Sequence, residues 1–149
     1  MKRMRRIMHA TDFSSASSRA LAKAVELAKQ NKAELLLVHV LAAIIPYDPG
    51  DGYADPYLYI ELEKSTRRQA QSSLEALVKK VKRARVKVSS LLLKGTAHDQ
   101  IVRAAKNRRA DLIVIGTHGR TGITKLFMGS VAGRVVSTAS CPVMTVRGK

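Results

Sequence analysis

The stretch DLIVIGTHGRTGITKLFMGS, residues 111–130, contains the clearest strand and loop signals in this chain. Its first five residues, DLIVI, are apolar from Leu112 onward, which is typical of a strand covered on both faces of a parallel sheet. Gly116 follows the run at once, and fourteen residues separate Ile115 from Ser130. Open α/β sheets bind ligands at the carboxyl ends of such strands. The stretch therefore predicts a buried strand followed by a functional loop.

The rest of the chain alternates strands with amphipathic helices. Largely apolar runs at 6–10, 34–41 and 142–146 predict three other strands. Residues 85–93 alternate at first and become apolar later, which predicts the remaining strand. Parallel strands need helical crossovers, so the order β-α-β-α-β-α-β-α-β predicts an α/β fold with helices on both faces of an open, five-stranded parallel sheet. No second domain or internal repeat is visible, so one domain is expected over residues 1–149.

Polar residues at the starts of the helices predict where those helices begin. Ser14 and Ser15 are candidate caps for the first helix, and Ser130 for the last. Thr96 with Asp99 three residues later matches a capping box. Residues 46–56 combine prolines, glycines and aspartates and predict a loop, with a long helix from about Leu62 onward.

Composition and chain features limit the environment in which the protein works. The longest apolar stretch is too short to cross a bilayer, and the basic opening has no apolar segment behind it, so no membrane association and no signal peptide are expected. A single cysteine, Cys141, cannot form an internal disulfide, which suits a reducing compartment. A cytoplasmic location follows as the expectation.

The net charge is unusually positive for a chain of this length. Twenty-seven Lys and Arg residues oppose eleven Asp and Glu residues, which gives a formal charge of +16. Such an excess attracts polyanions through long-range, salt-sensitive forces, although a basic surface that is merely solvated explains it equally well. Non-specific nucleic-acid binding is therefore one hypothesis. Its candidate residues are Lys79, Lys80, Lys82, Arg83, Arg85, Lys87, Arg103, Lys106, Arg108 and Arg109.

The loop of the opening stretch contains the ingredients of a phosphate site. Gly116 permits close backbone approach, and Gly129 with Ser130 opens a helix whose amino end favours anions. His118, Arg120 and Lys125 add donors and positive charge. The loop is neither a GxxxxGK[ST] nor a GxGxxG motif, so glycines that only allow turns remain an alternative.

The spacing Gly116-x2-Gly119-x9-Gly129-Ser130 resembles the ATP-binding signature of the universal stress protein family. Three further segments are similar to segments of that family in the same order: TDFS at 11–14, VHV at 38–40 and CPV at 141–143. The resemblance implies a sheet of order 3-2-1-4-5, a role in the stress response, and ATP accompanied by Mg²⁺ or Mn²⁺. In that order strands 1 and 4 are neighbours, so Asp12 and Gly116 are expected to converge on one crevice.

The resemblance also implies a role for each residue of the site. Asp12 would hold the ribose hydroxyls beside Thr11, and the backbone of Val40 would meet the adenine. The backbone at Gly116 and Gly119 would lie close to ribose and phosphate, with His118 beside them. The phosphate-binding N–H groups would come from Gly129, Ser130, Val131 and Ala132.

Several of these residues also have simpler interpretations. Asp12 is a candidate to cap the helix that follows it, and His39 to be a satisfied histidine in the core or at a pocket edge. The histidines show no metal-ligand spacing, so no zinc site is expected. A slow ATP hydrolase or nucleotidyl transferase is the enzymatic alternative, although no carboxylate pair and no clear base beyond His118 supports it.

The last predicted strand suggests self-association. Pro142 begins this strand and Val146 ends it, and the order 3-2-1-4-5 places it at a sheet edge. An apolar edge strand presents unpaired backbone groups that a second copy can satisfy. A homodimer joined through residues 142–146 is therefore expected, as the resemblance also implies.

Overall fold

The computed structural model describes residues 2–43, 50, 55–117 and 129–148. Five strands and four helices alternate along these residues. The strands are β1 (Arg6–Ala10), β2 (Glu34–Leu41), β3 (Val88–Lys94), β4 (Leu112–Gly116) and β5 (Val143–Val146). The helices are α1 (Ser15–Asn31), α2 (Pro56–Arg83), α3 (Ala97–Asn107) and α4 (Ser130–Thr138).

The strands form one parallel sheet in the order β3-β2-β1-β4-β5. In its register Met8 of β1 pairs with Leu36 of β2 on one side and with Ile113 of β4 on the other. The α/β class, the parallel sheet and the order 3-2-1-4-5 are all confirmed. From β1 the chain adds β2 and β3 on one side of the sheet and then β4 and β5 on the other, so a crevice opens between the carboxyl ends of β1 and β4.

Alternating side chains along the strands build a separate core on each face of the sheet. Ile7 and its neighbours in register pack against α1 and α2. Met8, one residue on, lies in the other core with side chains from α3 and α4. Both side chains are fully buried, which requires apolar cover on both faces and explains why the strand sequences read as continuous apolar runs.

Two elements begin three or more residues away from the predicted position, and the other strand boundaries differ by at most one residue. α2 begins at Pro56 rather than near Leu62, because the Asp55 side chain accepts a hydrogen bond from the Tyr57 N–H and Pro56 suits the first helical turn. β3 begins at Val88 rather than Arg85. Arg85 has φ +61°, a left-handed conformation that turns the chain between α2 and the strand.

Two of the predicted helix caps are also wrong in detail. Thr96 does occupy the N-cap position of α3, but its side chain makes no cap hydrogen bond. Asp99 instead pairs with Arg103 one turn on, at 3.2 Å. The N-cap of α4 is Gly129, so Ser130 is its first helical residue and not its cap. The prediction of Ser14 as the cap of α1 is confirmed, because its side chain accepts from the Ser17 N–H.

A fully buried histidine lies in the central strand. His9 has no exposed surface, and its Nδ1 lies 3.0 Å from the carbonyl oxygen of Val114. Burial is the main cause that lowers its pKa to about 4, against the opposing effects of that hydrogen bond and of the Asp12 charge. The ring is therefore neutral at pH 7.

In the described part of the chain, no helix is long and apolar enough to cross a membrane.

Candidate functional site

A cavity of about 290 Å³ opens at the carboxyl ends of β1, β2 and β4. Eight of the predicted site residues line it: Thr11, Asp12, Val40, Gly116, Gly129, Ser130, Val131 and Ala132. The other two, His118 and Gly119, lie outside the described residues. The cavity lies at the switch point between β1 and β4, where doubly wound sheets bind ligands.

The polar wall of the cavity is organised around Asp12. Its Oδ1 accepts a hydrogen bond from the Ser14 N–H at 2.9 Å and from the Ser17 hydroxyl at 2.6 Å. The Ser17 hydroxyl in turn lies 3.1 Å from the Asp12 N–H, which donates to it. Ser14 is the N-cap of α1, so Asp12 supports the beginning of the helix without being the cap itself. These bonds fix the orientation of the carboxylate at the mouth of the cavity.

The apolar wall comes from β2, β4 and α3. Val38, Ile115 and Ile101 contribute branched side chains, and Val40 adds the last part of β2. A wall of this kind suits the flat faces of an aromatic base, whose transfer from water is favourable. The cavity thus combines one carboxylate with a largely apolar interior.

Two glycines permit close backbone contacts beside the cavity. A Cβ atom on Gly116 would lie 2.9 Å from the carbonyl oxygen of Ala16, at the beginning of α1. A Cβ atom on Gly129 would lie 2.6 Å from the carbonyl oxygen of Thr117, which the Gly129 N–H contacts. The requirement for glycine at both positions therefore arises from packing within the protein.

Three helices direct their amino ends at the cavity. Ala16 and Ser17 of α1, Ala97 of α3 and the first three residues of α4 all line it. The first N–H groups of a helix have no intrahelical acceptor, and the positive end of the helix dipole lies there. In α4 the N-cap is Gly129, which has no side chain to accept from those groups. This end of the molecule therefore attracts anions through backbone groups.

His39 is a pocket-edge histidine, as the sequence suggested. It lines the cavity, and its Nδ1 lies 2.7 Å from the carbonyl oxygen of Thr11. Its ring is tilted against that of Phe13, with 4.5 Å between centroids. Phe13 has φ +65°, which turns the chain sharply after Asp12. His39 therefore holds the β1–α1 connection in place.

Sequence reasoning missed two polar residues of the cavity. Ser17 and Thr117 are both buried and both line it. Ser17 holds Asp12, and the Thr117 N–H donates to Val146 of β5 at 3.0 Å. The spacing Asp12, Ser14, Ser17 is the signal that was available for the first. Thr117 offers none, because its neighbour in β5 is distant in sequence.

The described residues contain no group of three or more His, Cys, Asp or Glu side chains placed to hold a metal ion. Asp12 is the acidic residue among the described residues that line the cavity. A single carboxylate is a poor resident site for a divalent cation, which takes several oxygen ligands. Oxygens from a bound ligand would have to supply most of the coordination.

Comparison with known proteins places this architecture in a family. A family model described as the universal stress protein family matches residues 4–147. The universal stress protein MJ0531 of Methanocaldococcus jannaschii is 32% identical over 143 residues, covering 96% of this chain and 82% of the relative. A universal stress protein of Thermus aquaticus is 36% identical over 143 residues, covering 95% and 97%.

Solved structures of proteins from this family match the fold of the chain. MJ0577 of Methanocaldococcus jannaschii matches with a TM-score of 0.85 at 25% identity and covers 99% of both chains. A universal stress protein family protein from Arabidopsis thaliana, solved with AMP bound, matches with a TM-score of 0.71. It is 24% identical, and the match covers 97% of this chain and 92% of that one, which shows a shared fold. The chain described here belongs to the universal stress protein family.

Proposed function

We propose that this chain is a cytoplasmic, ATP-binding regulatory protein of the stress response, and that the cavity between β1 and β4 holds the nucleotide. One observation carries the proposal: a cavity with an apolar interior has a fixed carboxylate on one side and the uncapped amino end of α4 on the other. Base, ribose and phosphate need those three surroundings in that order.

Each part of the cavity has a proposed task. The apolar residues around Val40 take the adenine, and the Asp12 carboxylate accepts from the ribose hydroxyls. The N–H groups of Ser130, Val131 and Ala132 contact phosphate oxygens, and the Ser130 hydroxyl adds a donor. The Gly129 N–H, which was expected to join them, instead donates to the Thr117 carbonyl oxygen. A volume of about 290 Å³ is at the small end for a ligand site, so base and ribose occupy it while the phosphates extend along α4.

A divalent ion fits this arrangement as part of the nucleotide. Mg²⁺ or Mn²⁺ bound with the nucleotide would neutralise part of the phosphate charge. The residues of this chain then need to bind the phosphates, through the amino end of α4, and do not need a cluster of carboxylates. The AMP-bound protein from Arabidopsis thaliana has the same fold, which supports a nucleotide as the ligand class.

Calorimetric titration with ATP and Mg²⁺ tests the proposal. The native chain should bind with a Kd in the micromolar range, about −8 kcal/mol. Ala97→Leu adds volume where α3 meets the cavity and should weaken binding at least about tenfold. Ala22→Leu, at an exposed position of α1, is the matched control and should bind like the native chain. No heat from the native chain at millimolar ATP, or equal binding by a folded Ala97→Leu variant, would refute the proposal.

We also propose a homodimer joined through β5. The strand lies at one edge of the sheet, and its residues Val143, Met144 and Val146 are only half-buried. Pairing about a two-fold axis would satisfy its outer backbone groups and cover these side chains. Sedimentation velocity in moderate salt should give a species of twice the chain mass of 16.3 kDa. The Met144→Lys variant should shift the observed mass down toward that of the monomer. Native chain that stays at 16.3 kDa at tens of micromolar would exclude the dimer.

A further inference from the structure

The amino ends of the strands form a strongly basic surface opposite the cavity. In a parallel sheet with helical crossovers, strand amino ends and helix carboxyl ends meet at the same end of the molecule. Four segments lie there: 2–6, 29–34, 82–88 and 106–111. They contain 24 residues, of which thirteen are Lys or Arg and two, Glu34 and Asp111, are acidic. We call these segments the amino-end surface.

Hydrogen bonds join the four segments into one surface. The Glu34 N–H donates to the carbonyl of Arg5, and the Leu35 N–H donates to that of Lys87. The Arg6 guanidinium donates to the carbonyl oxygen of Arg108. The strands behind these residues are successive neighbours in the sheet, β3, β2, β1 and β4, so the cations span three strand spacings, about 14 Å.

Both acidic residues of the surface are already engaged. Glu34 pairs with Arg6 at 3.4 Å and with Lys87 at 3.7 Å. One carboxylate oxygen of Asp111 accepts from the Arg5 and Arg6 N–H groups at 2.8 and 2.9 Å, and these donors lower its pKa. Two carboxylates therefore leave a large excess of positive charge at this end.

Helix dipoles account for only part of this charge. Lys29, Lys82, Arg83 and Lys106 lie in last helical turns, where cations oppose the negative end of the dipole. Arg5 and Lys87 lie outside the helices, as do several others. A hollow of about 660 Å³ brings together five exposed cations and one acidic residue, Glu34, which pairs with Lys87. The cations are Arg5, Lys29, Lys32, Arg85 and Lys87. Side chains so placed repel one another, which a bound anion would relieve.

From this arrangement we propose that the amino-end surface binds the phosphate backbone of double-stranded nucleic acid, without regard to sequence. A duplex carries one charge per about 1.7 Å of axis, so 14 Å presents about eight phosphates, about four of them on the near strand. The exposed large apolar side chains of the described residues are Tyr57, Leu58, Ile60, Leu62 and Val136, all outside the surface. It therefore offers no aromatic platform for single strands and no apolar anchor for a membrane.

Fluorescence anisotropy with a labelled duplex of about 20 base pairs, two helical turns, tests this inference. With about four phosphate contacts, log K should fall with log salt at a slope of about −4 between about 50 and 200 mM KCl. The variant Lys29→Gln/Lys32→Gln/Arg85→Gln/Lys87→Gln should lose at least about tenfold in affinity and flatten that slope.

A matched control separates surface from total charge. Arg19→Gln/Lys64→Gln/Arg67→Gln/Arg68→Gln removes the same four charges from exposed positions elsewhere on α1 and α2, and should retain most of the affinity. Equal losses in the two folded variants would overturn the inference, because net charge alone would then explain binding. So would tighter binding to a single strand of the same length, or to vesicles of anionic phospholipid. A Kd above about 100 μM at low salt would also overturn it.

Discussion

The two ends of the sheet present positive potential by different means. At the carboxyl end, backbone N–H groups of α1, α3 and α4 face a cavity whose described lining includes no Lys or Arg. At the amino end, thirteen Lys and Arg side chains cover helix ends whose dipoles point the other way. Net charge alone therefore does not locate an anion site in this fold. Backbone dipoles around a cavity suit the small nucleotide proposed there, whereas a row of Lys and Arg side chains suits the extended duplex proposed for the other end.

His9 lies in the strand between these two ends, and its burial should make the stability of the fold strongly dependent on pH. The comparison depends on a sheet interior that stays uncharged, and His9 is neutral there because burial lowers its pKa from 6.5 to about 4. An unfolded chain protonates this ring near pH 6.5. Stability is therefore full above that pH and falls as the pH drops from 6.5 to 4, by about 3 kcal/mol. Below pH 4 both states bind the proton, and the loss stops growing.

Urea unfolding between pH 7 and pH 4 measures that loss. His9→Gln removes the titrating group and should flatten the pH dependence, whatever its stability at pH 7. His98→Gln, in α3 and only half-buried, should retain the native profile. A His9→Gln variant with the native slope would show that the acid sensitivity comes from elsewhere.

Substituting Gly116 tests whether packing at the carboxyl end of the sheet requires glycine. In Gly116→Ala the new Cβ would lie 2.9 Å from the Ala16 carbonyl oxygen, so we expect a loss of about 1–3 kcal/mol. Gly133 in α4 is the counterpart, since a Cβ there meets nothing within 4 Å. Gly133→Ala should gain about 0.5–1 kcal/mol from helix propensity. Urea denaturation compares them, and losses of equal size would contradict the packing argument.

Replacing one carboxylate by an amide at each end of the sheet should have the smallest effects. Asp12→Asn keeps an oxygen for Ser14 and Ser17 but removes the charge proposed to hold the ribose, so ATP binding should weaken about tenfold. Asp111→Asn weakens two hydrogen bonds from backbone N–H groups and should cost about 1 kcal/mol of stability while leaving ATP binding unchanged. Calorimetry and urea unfolding together give the pattern. Weaker ATP binding by Asp111→Asn would mean that the ends are not independent.

The sheet could be predicted from sequence because its strands are buried on both faces. Runs such as the one around Leu36 leave little ambiguity, and helical crossovers force the parallel order. Boundaries set by local backbone geometry were harder. No sequence pattern around Arg85 predicts its left-handed backbone conformation. The Asp99 side chain pairs with Arg103 instead of accepting a hydrogen bond from the Thr96 backbone.

The cavity was predictable only where its residues belong to a motif. Asp12 and Gly116 lie at the ends of neighbouring strands, so topology brings them together. Ser17 and Thr117 enter through contacts that no local pattern records. The amino-end surface lies between these cases. Its Lys and Arg residues can be counted from the sequence, but only the strand order shows that the four segments lie side by side.

The close contact between Gly116 and Ala16 has a consequence for tracing the history of this family. A glycine kept for packing will persist under selection for folding alone, whether or not a ligand is bound. The same holds for Gly129 against Thr117. The side chain at position 12 is under no such steric constraint. Relatives that retain both glycines but have replaced Asp12 are thus the lineages in which to look for a conserved scaffold without the nucleotide binding proposed here.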